Sequence, residues 1–289
     1  MKIKILIPVF NDFESVSKLL EDINSLVFYN DKEFSVIIVN DSSTDKVQVN
    51  LSNTENIKSI KIINMKENKG HARCNAAGLK YIFENEEFDY VIPMDGDGED
   101  RPEEIKKFIE FIKYDSSRPI VGERIKRSEG IMFRLFYSIH KLITFIFTGQ
   151  SIKFGNYTCL PKPTVEKMIS EKATWSSFSG ALAKLEKNRS TIPSIRGERY
   201  FGPSKMSFFN LIKHSLSIIA VFKVNVIIRS ILFFLIYIFL ISKNLNYVTS
   251  IPLIAALALV ISVLAISKRE NIGELNDSSS NIENIEEIK

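Results

Sequence analysis

The chain opens on Lys2–Phe10, where apolar and β-branched side chains dominate before Asn11-Asp12 breaks the run. A short apolar run bounded by polar residues predicts a strand. Phe13, Val16, Leu19, Leu20 and Ile23 then recur at helical spacing, with Asp12 or Ser15 placed to cap a helix reaching about Leu26. Phe34–Val39 is continuously apolar, as in a strand buried on both faces, and runs into the polar turn Asn40 to Asp45. Ile60–Asn64 predicts a third strand, Gly70–Asn85 a helix and Asp89–Met94 a fourth strand. This alternation predicts an α/β sheet with parallel pairs, whose ligands sit beyond the carboxyl ends of the strands. The clusters Asn11-Asp12, Asp41 to Asp45 and Asp95 to Asp100 fall at those ends.

Further along, the pattern changes. In Ile131–Phe147 the polar residues Arg134, Ser138, Lys141 and Thr144 recur every three or four positions. Ser207, Asn210, Lys213 and Ser217 do the same in Met206–Phe222. A narrow polar stripe on a wide apolar face suits a helix lying in the head-group plane. A core helix is the alternative, more so for the first. Val224–Ser242 (19 residues) and Tyr247–Ile266 (20 residues) then approach bilayer length, since a hydrocarbon core of roughly 30 Å takes about 20 helical residues. Four residues, Lys243 to Asn246, join them as a tight hairpin. Arg229 is expected to snorkel toward head groups, and Pro252 to occupy a first turn. The expected organisation is a folded domain over 1–205, an interfacial helix over 206–223, two spans over 224–267 and a disordered acidic tail over 268–289.

Charge supports this division. The net +4 of the 289 residues is a cancellation: residues 1–112 are net −7, 113–229 net +13, 230–267 net +1 and 268–289 net −3. Lys213, Lys223, Arg229, Lys268 and Arg269 flank the hairpin, against Lys243 alone in its loop. The positive-inside rule then predicts a two-span cell-membrane protein with both termini and the folded domain cytoplasmic. Residues 3–10 are too short and too broken for a signal peptide. Two cysteines, Cys74 and Cys159, and three histidines without ligand spacing argue against zinc. Nothing calls for nucleic acid.

Candidate chemistry concentrates in Met94-Asp95-Gly96-Asp97-Gly98-Glu99-Asp100, four carboxylates within six residues after an apolar strand. They repel unless a cation or solvent neutralises them. Oxygen-only ligands suit Mg2+ or Mn2+ shared with substrate phosphates. An EF-hand is excluded, because loop position 12 counted from Asp95 is Lys106. An acidic turn capping the helix near Pro102 is the plainer reading. The basic middle offers the complement to a diphosphate: Gly122-Glu123-Arg124, and Arg196-Gly197-Glu198-Arg199-Tyr200-Phe201-Gly202-Pro203-Ser204-Lys205. These cations could equally face anionic lipid.

Taken in order, six motifs resemble glycosyltransferase family 2, in the branch of polyprenyl-phosphate sugar transferases similar to dolichyl-phosphate mannose synthase. They are Ile7 to Asp12, Val39 to Asp45, Asn68-Lys69-Gly70-His71-Ala72-Arg73, Met94 to Asp97, Gly122 to Arg124, and Arg199 to Lys205. The resemblance covers about residues 3–229 and implies a GT-A (Rossmann-like) fold acting on a nucleotide-diphosphate sugar. It implies that Pro8, Asn11, Asp12, Asp41, Arg73 and Asp95 bind the donor and that Asp97 and Glu99 hold the metal. Arg124, Arg199, Ser204 and Lys205 would meet donor and acceptor phosphates, with Asp95, Asp97, Arg124 and Arg199 forming the catalytic set. The chain departs from the pattern at Asn40, for the usual first Asp of the nucleotide loop, at Glu99 for Gln, and at Asn156, where many relatives are acidic. The Gln-x-x-Arg-Trp motif of processive synthases is absent; the one tryptophan, Trp175, lies in Ala-Thr-Trp-Ser.

The implied reaction is displacement at the anomeric carbon with a diphosphate leaving group. A hydroxyl acceptor needs a general base, whereas a phosphate acceptor is already anionic. No carboxylate after Glu99 sits in a recognisable base motif, which favours a polyprenyl phosphate acceptor and inverting transfer. A hydroxyl acceptor on a glycolipid or cell-surface saccharide remains the alternative, as does a catalytically silent sugar-nucleotide-binding partner protein. Self-association through the hairpin is left open.

Overall fold

The computed structural model describes residues 1–26, 32–126, 131–203 and 207–289, without the side chains of 126, 131–137, 140 and 208. Ser204, Lys205, Met206 and the Arg134 side chain, all named above, lie outside that description. The chain divides into two compact units, one comprising 1–128, 153–205 and 271–289, the other 129–152 and 206–270. The first therefore differs from the expected 1–205 domain: it lacks an inserted segment and takes in the carboxyl terminus.

In the first unit β1 (Lys2–Val9), α1 (Phe13–Leu26), β2 (Glu33–Asn40), β3 (Ser59–Met65), α2 (His71–Asn85) and β4 (Tyr90–Pro93) follow the order predicted from the apolar pattern. A 3-10 turn at Pro102–Glu104 runs into α3 (Ile105–Ile112), and β5 (Ile120–Lys126) follows. In the second unit α4 (Ile131–Thr148) comes next. The first unit resumes with β6 (Thr158–Pro161), α5 (Lys162–Ile169), α6 (Phe178–Leu185) and β7 (Ser190–Ile195). β1 pairs in parallel with β2 and β4, and β2 with β3. β6 runs antiparallel to β4 and β5, so the sheet is mixed. Every residue of β1 after Lys2, and of β2 after Glu33, is buried, as expected of central parallel strands.

Glu86, which ends α2, receives Lys4 Nζ at 2.7 Å and Lys61 Nζ at 2.8 Å. Burial works against its charge, but the two lysines hold its carboxyl below the ordinary range. A carboxylate depressed in this way stabilises the fold above its unfolded pKa, and that contribution disappears as pH falls through the folded value. Glu86→Gln is expected to cost about 2–3 kcal/mol at pH 7. Urea titration should also find a shallower loss of stability below about pH 4.5 than in wild type.

The expectation of a disordered tail is overturned. After α10 (Ile272–Asn276), β8 (Ile282–Glu287) pairs antiparallel with β3 and completes an eight-stranded order β7-β5-β6-β4-β1-β2-β3-β8 among the described residues. Leu275 is fully buried, and Trp175 donates Nε1–H to Glu274 at 2.7 Å. Composition misleads here because an edge strand is held by backbone bonds and needs no apolar face.

In the second unit, α7 (Phe208–Ala220) is capped by Ser207, and α8 (Lys223–Ile241) and α9 (Tyr247–Ser267) follow. Helices α8 and α9 are long and apolar enough to cross a membrane, and most of their apolar side chains, such as Leu235 and Phe239, are exposed. One detail differs from expectation: Pro252 lies in the second turn of α9, whose start is fixed by a capping box between Asn246 and Thr249. Arg229, expected to snorkel, donates to the carbonyls of Ile146 at 2.9 Å and Phe145 at 3.4 Å. Those carbonyls end α4, where orphan acceptors and the helix dipole attract a cation. Gly149, at φ 74°, terminates α4, and a Cβ there would meet Arg229 Nη2 at 2.5 Å.

Candidate active site

The carboxyl ends of β1, β2 and β4 deliver three polar loops. Asn11, at φ 52°, accepts through Oδ1 from the amides of Thr44 at 2.8 Å and Asp45 at 3.2 Å. Its own amide N–H donates to Ser43 Oγ at 2.9 Å. The β1 and β2 loops are thereby joined next to Pro8, which is buried in β1. Asp41 is buried and accepts from the backbone amides of Lys69 at 2.8 Å and Gly70 at 2.9 Å, anchoring the start of α2. Burial raises its pKa against the pull of those amides.

The loop after β4 carries the acidic cluster. Asp95 lies 3.3 Å from His71 Nε2. Burial favours the neutral acid, but His71, with Arg196 and Arg124, holds the carboxyl well below the usual range. His71 in turn is raised, the Asp95 charge outweighing burial. Asn156 Nδ2 stands 2.5 Å from the same imidazole nitrogen. Asp97 is pushed up to about 6 by burial and by Asp95, with Arg199 pulling the other way. Asp100, buried beneath the loop, accepts from the Asp95 amide at 2.9 Å and is pushed up to about 8 by burial and by Asp95.

Cations from a distant segment close this cluster. Arg199 bridges Asp97 and Asp12, the latter at 2.8 Å, and Arg196 pairs with Glu99. The two segments also meet through backbone: Gly197 N–H donates to Glu99 O at 2.8 Å and Tyr200 N–H to Asp97 O at 2.9 Å. Gly98 is required here, since at φ 87° a Cβ would lie 2.6 Å from the Tyr200 ring. That ring is anchored by its hydroxyl donating to Asp22 at 2.6 Å. Arg124 lies over Gly155, with Nη2 at 3.9 Å from Asp100.

Asp12, Asp95, Asp97, Glu99 and Arg199 thus form one charged network, with Arg124 reaching it through Asp100. Arg73 is engaged elsewhere: it stacks over Trp175 at 5.6 Å and lies 4.0 Å from Glu274. Ser204 and Lys205 fall outside the described residues. Sequence reasoning named Asp100 and His71 only as members of motifs, and missed Asp22 and Glu274, whose partners are set by tertiary contacts and carry no local signal.

For a divalent cation the fit is partial. Among the described residues no cluster of three or more His, Cys, Asp or Glu side chains forms a metal cage. Yet Asp95 Oδ1 is buried and makes no well-formed hydrogen bond, facing His71 Nε2 at 3.3 Å, beside a second carboxylate whose proton affinity burial and Asp95 raise. Two hard oxygen donors, completed by substrate phosphates, are what Mg2+ or Mn2+ accepts.

Residues 4–172, more than half of the chain, match the family model described as Glycosyl transferase family 2. The chain belongs to this family. The fold is similar to crystal structures of Mycobacterium tuberculosis glucosyl-3-phosphoglycerate synthase in complex with Mn2+, UDP-glucose and phosphoglyceric acid (TM-score 0.54, 12% identity, 78% of this chain and 79% of that one). It is also similar to S. aureus TarS 1–349 in complex with UDP-GlcNAc (TM-score 0.51, 16% identity, 97% and 88% covered). These likenesses establish the GT-A fold. In sequence the chain is 28% identical over 224 residues to the undecaprenyl-phosphate 4-deoxy-4-formamido-L-arabinose transferase of Salmonella choleraesuis (strain SC-B67). That match covers 73% of this chain and 64% of the relative, just under two thirds of its length.

Proposed function

We propose that this family 2 member is a membrane-anchored, inverting glycosyltransferase that moves a sugar from a nucleotide diphosphate to a polyprenyl phosphate. The observation that carries the reading is the network on the carboxyl side of the sheet in which Asp97 pairs with Arg199, Glu99 with Arg196 and Asp95 with His71. Acidic and basic groups held together in this way can serve the two halves of a sugar nucleotide reaction. The carboxylates would hold a divalent ion, and the guanidiniums would meet the diphosphate as charge builds on it. Asp95, Asp97 and Glu99 are the residues that would hold Mg2+ or Mn2+; Asp97 and Glu99, paired with Arg199 and Arg196, would each turn an oxygen from that partner to the ion. A bound ion supplies Lewis-acid stabilisation of the leaving diphosphate. Asn11 and Asp41 fix the nucleotide loop, and Asp12 orients Arg199.

Asn156 cannot abstract a proton, which suits an acceptor that is anionic at pH 7. The relative named for transfer to undecaprenyl phosphate supports the same acceptor class. The chain leaves the first unit after residue 205 and returns to it at 271. If α8 and α9 span a bilayer, both flanks of the hairpin lie on one side, which supports a cytoplasmic catalytic unit when joined to the charge asymmetry.

Membranes carrying the full chain should transfer label from a sugar nucleotide into an organic-extractable product when given undecaprenyl phosphate and Mg2+ or Mn2+. Mild acid should release that label, because the product is a glycosyl phosphate. Label found only in an acid-stable glycoside would replace this reading with a hydroxyl acceptor.

A further inference from the structure

Asn40, Asn64 and Asn284 stand in register on three adjacent strands: Asn40 pairs with Asn64 across β2 and β3, and Asn64 with Asn284 across β3 and β8. Their side chains form a directed chain. Asn40 Nδ2 donates to Asn64 Oδ1 at 2.8 Å, and Asn64 Nδ2 donates to Asn284 Oδ1 at 2.6 Å. The second hydrogen of Asn64 Nδ2 goes to Glu286 Oε1 at 2.8 Å. Glu286 lies two residues beyond Asn284 and so shares its face of the strand. At the other end Asn40 Oδ1 accepts from the Ser43 amide at 3.0 Å, inside the loop that also binds Asn11. Asn40 and Asn64 are buried, where each unmade bond is expensive.

Amides can be turned over, so a row of asparagines has two directions of equal quality. A carboxylate has only acceptors. Glu286 at the tail end therefore selects the direction in which every amide donates toward the tail. Only in that direction does Asn40 present oxygen to the Ser43 N–H. Turned over, Asn40 would set its NH2 against that N–H, donor against donor, and the loop would have to move. The same logic accounts for asparagine at position 40, since an aspartate could not donate to Asn64 Oδ1.

We propose that Asn284 and Glu286, delivered by the carboxyl-terminal strand, are positioning residues that orient the Asp41–Asp45 loop for the nucleotide through the Asn64–Asn40 ladder. This rests on the donor site proposed above. The strand follows the two apolar helices and α10 in sequence, so a segment with no contact to substrate would govern how the donor is held.

The test uses the full chain in detergent or membranes, with Glu286→Ala, Glu286→Lys, the conservative Glu286→Gln and the control Glu283→Ala. Hydrogen exchange of the 41–45 amides reads the ladder directly, and KM for the sugar nucleotide that supports transfer reads its consequence. Glu286→Ala should raise KM about five- to tenfold with kcat nearly unchanged, as expected for one hydrogen bond to a charged group whose donor, Asn64, is buried. Glu286→Lys should raise it further. Glu286→Gln can still accept but no longer fixes the direction, so it should fall between the alanine variant and wild type, and Glu283→Ala should stay close to wild type. Faster exchange should be confined to the 41–45 loop. Unchanged exchange and KM in Glu286→Lys would overturn the proposal. So would loosening spread evenly along β3 and β8, which would mean the strand is structural only. If wild type transfers no sugar, the donor reading fails separately, and loop exchange alone then upholds or overturns the ladder.

Discussion

Asp97→Asn is expected to lower kcat for sugar transfer by about 10²–10³-fold, the loss typical of removing one preorganised electrostatic contact to a developing charge. Stability should be spared. The asparagine keeps an oxygen for the Glu99 amide, which now donates to Asp97 Oδ1 at 3.0 Å, and relieves the burial of charge and the repulsion from Asp95 that together lift the Asp97 pKa to about 6. Thermal unfolding of the variant should therefore match or exceed wild type while turnover collapses, a combination that a misfolded site cannot produce. A chelator added in excess to wild type should reproduce the loss. Full activity in either case would remove the metal from the mechanism and leave the cations, Arg199 and Arg196 among them, to support the leaving group.

The structure also reshapes how α8 and α9 are tested. A truncation at residue 230 would remove β8 with most of these two helices, since residues 271–289 belong to the first unit. Loss of activity in a chain shortened that way would say nothing about the bilayer. A clean experiment replaces only the apolar faces of α8 and α9 and keeps the tail.

How much of the fold and the site is legible in the sequence follows from the range over which each interaction acts. The β1–α1–β2 and β3–α2–β4 succession is legible, because periodicity and burial are local properties that the apolar pattern records directly. The acidic loop is legible for the same reason: Asp95, Asp97 and Glu99 are spaced within one turn after a strand. What the pattern does not record is which cation meets which anion. Arg199 reaches Asp97 across 102 positions and Asp12 across 187. Glu99, expected on the metal, instead finds Arg196, 97 positions on. The tail escapes the pattern for a related reason. Its strand is exposed on both sides, so hydropathy carries no trace of it, and its decisive contacts, Asn284 and Glu286 on Asn64, span 220 and 222 positions. In the sequence Asn40 is visible only as a departure from the family pattern. The ladder supplies its physical reason.

Arg199 gives the second large effect, and one with a pH signature. Its guanidinium holds Asp12 at 2.8 Å and pairs with Asp97, and its charge lowers an Asp97 pKa that burial and Asp95 raise. Arg199→Met removes that lowering influence, so the Asp97 pKa must rise further. Transfer that needs ionised Asp97 then loses activity at higher pH, and the acid limb of the kcat/KM profile should move upward by about 1–2 pH units. At pH 7 the variant should be at least about 10²-fold slower, through protonated Asp97 and through the missing contact to the diphosphate. Arg199→Lys separates the two causes. It keeps the charge, so the acid limb should stay near its wild-type position, but it lacks the fork that reaches two carboxylates at once, and kcat should fall about tenfold. If the methionine variant keeps the wild-type profile, Asp97 does not act as the ionised group that turnover requires.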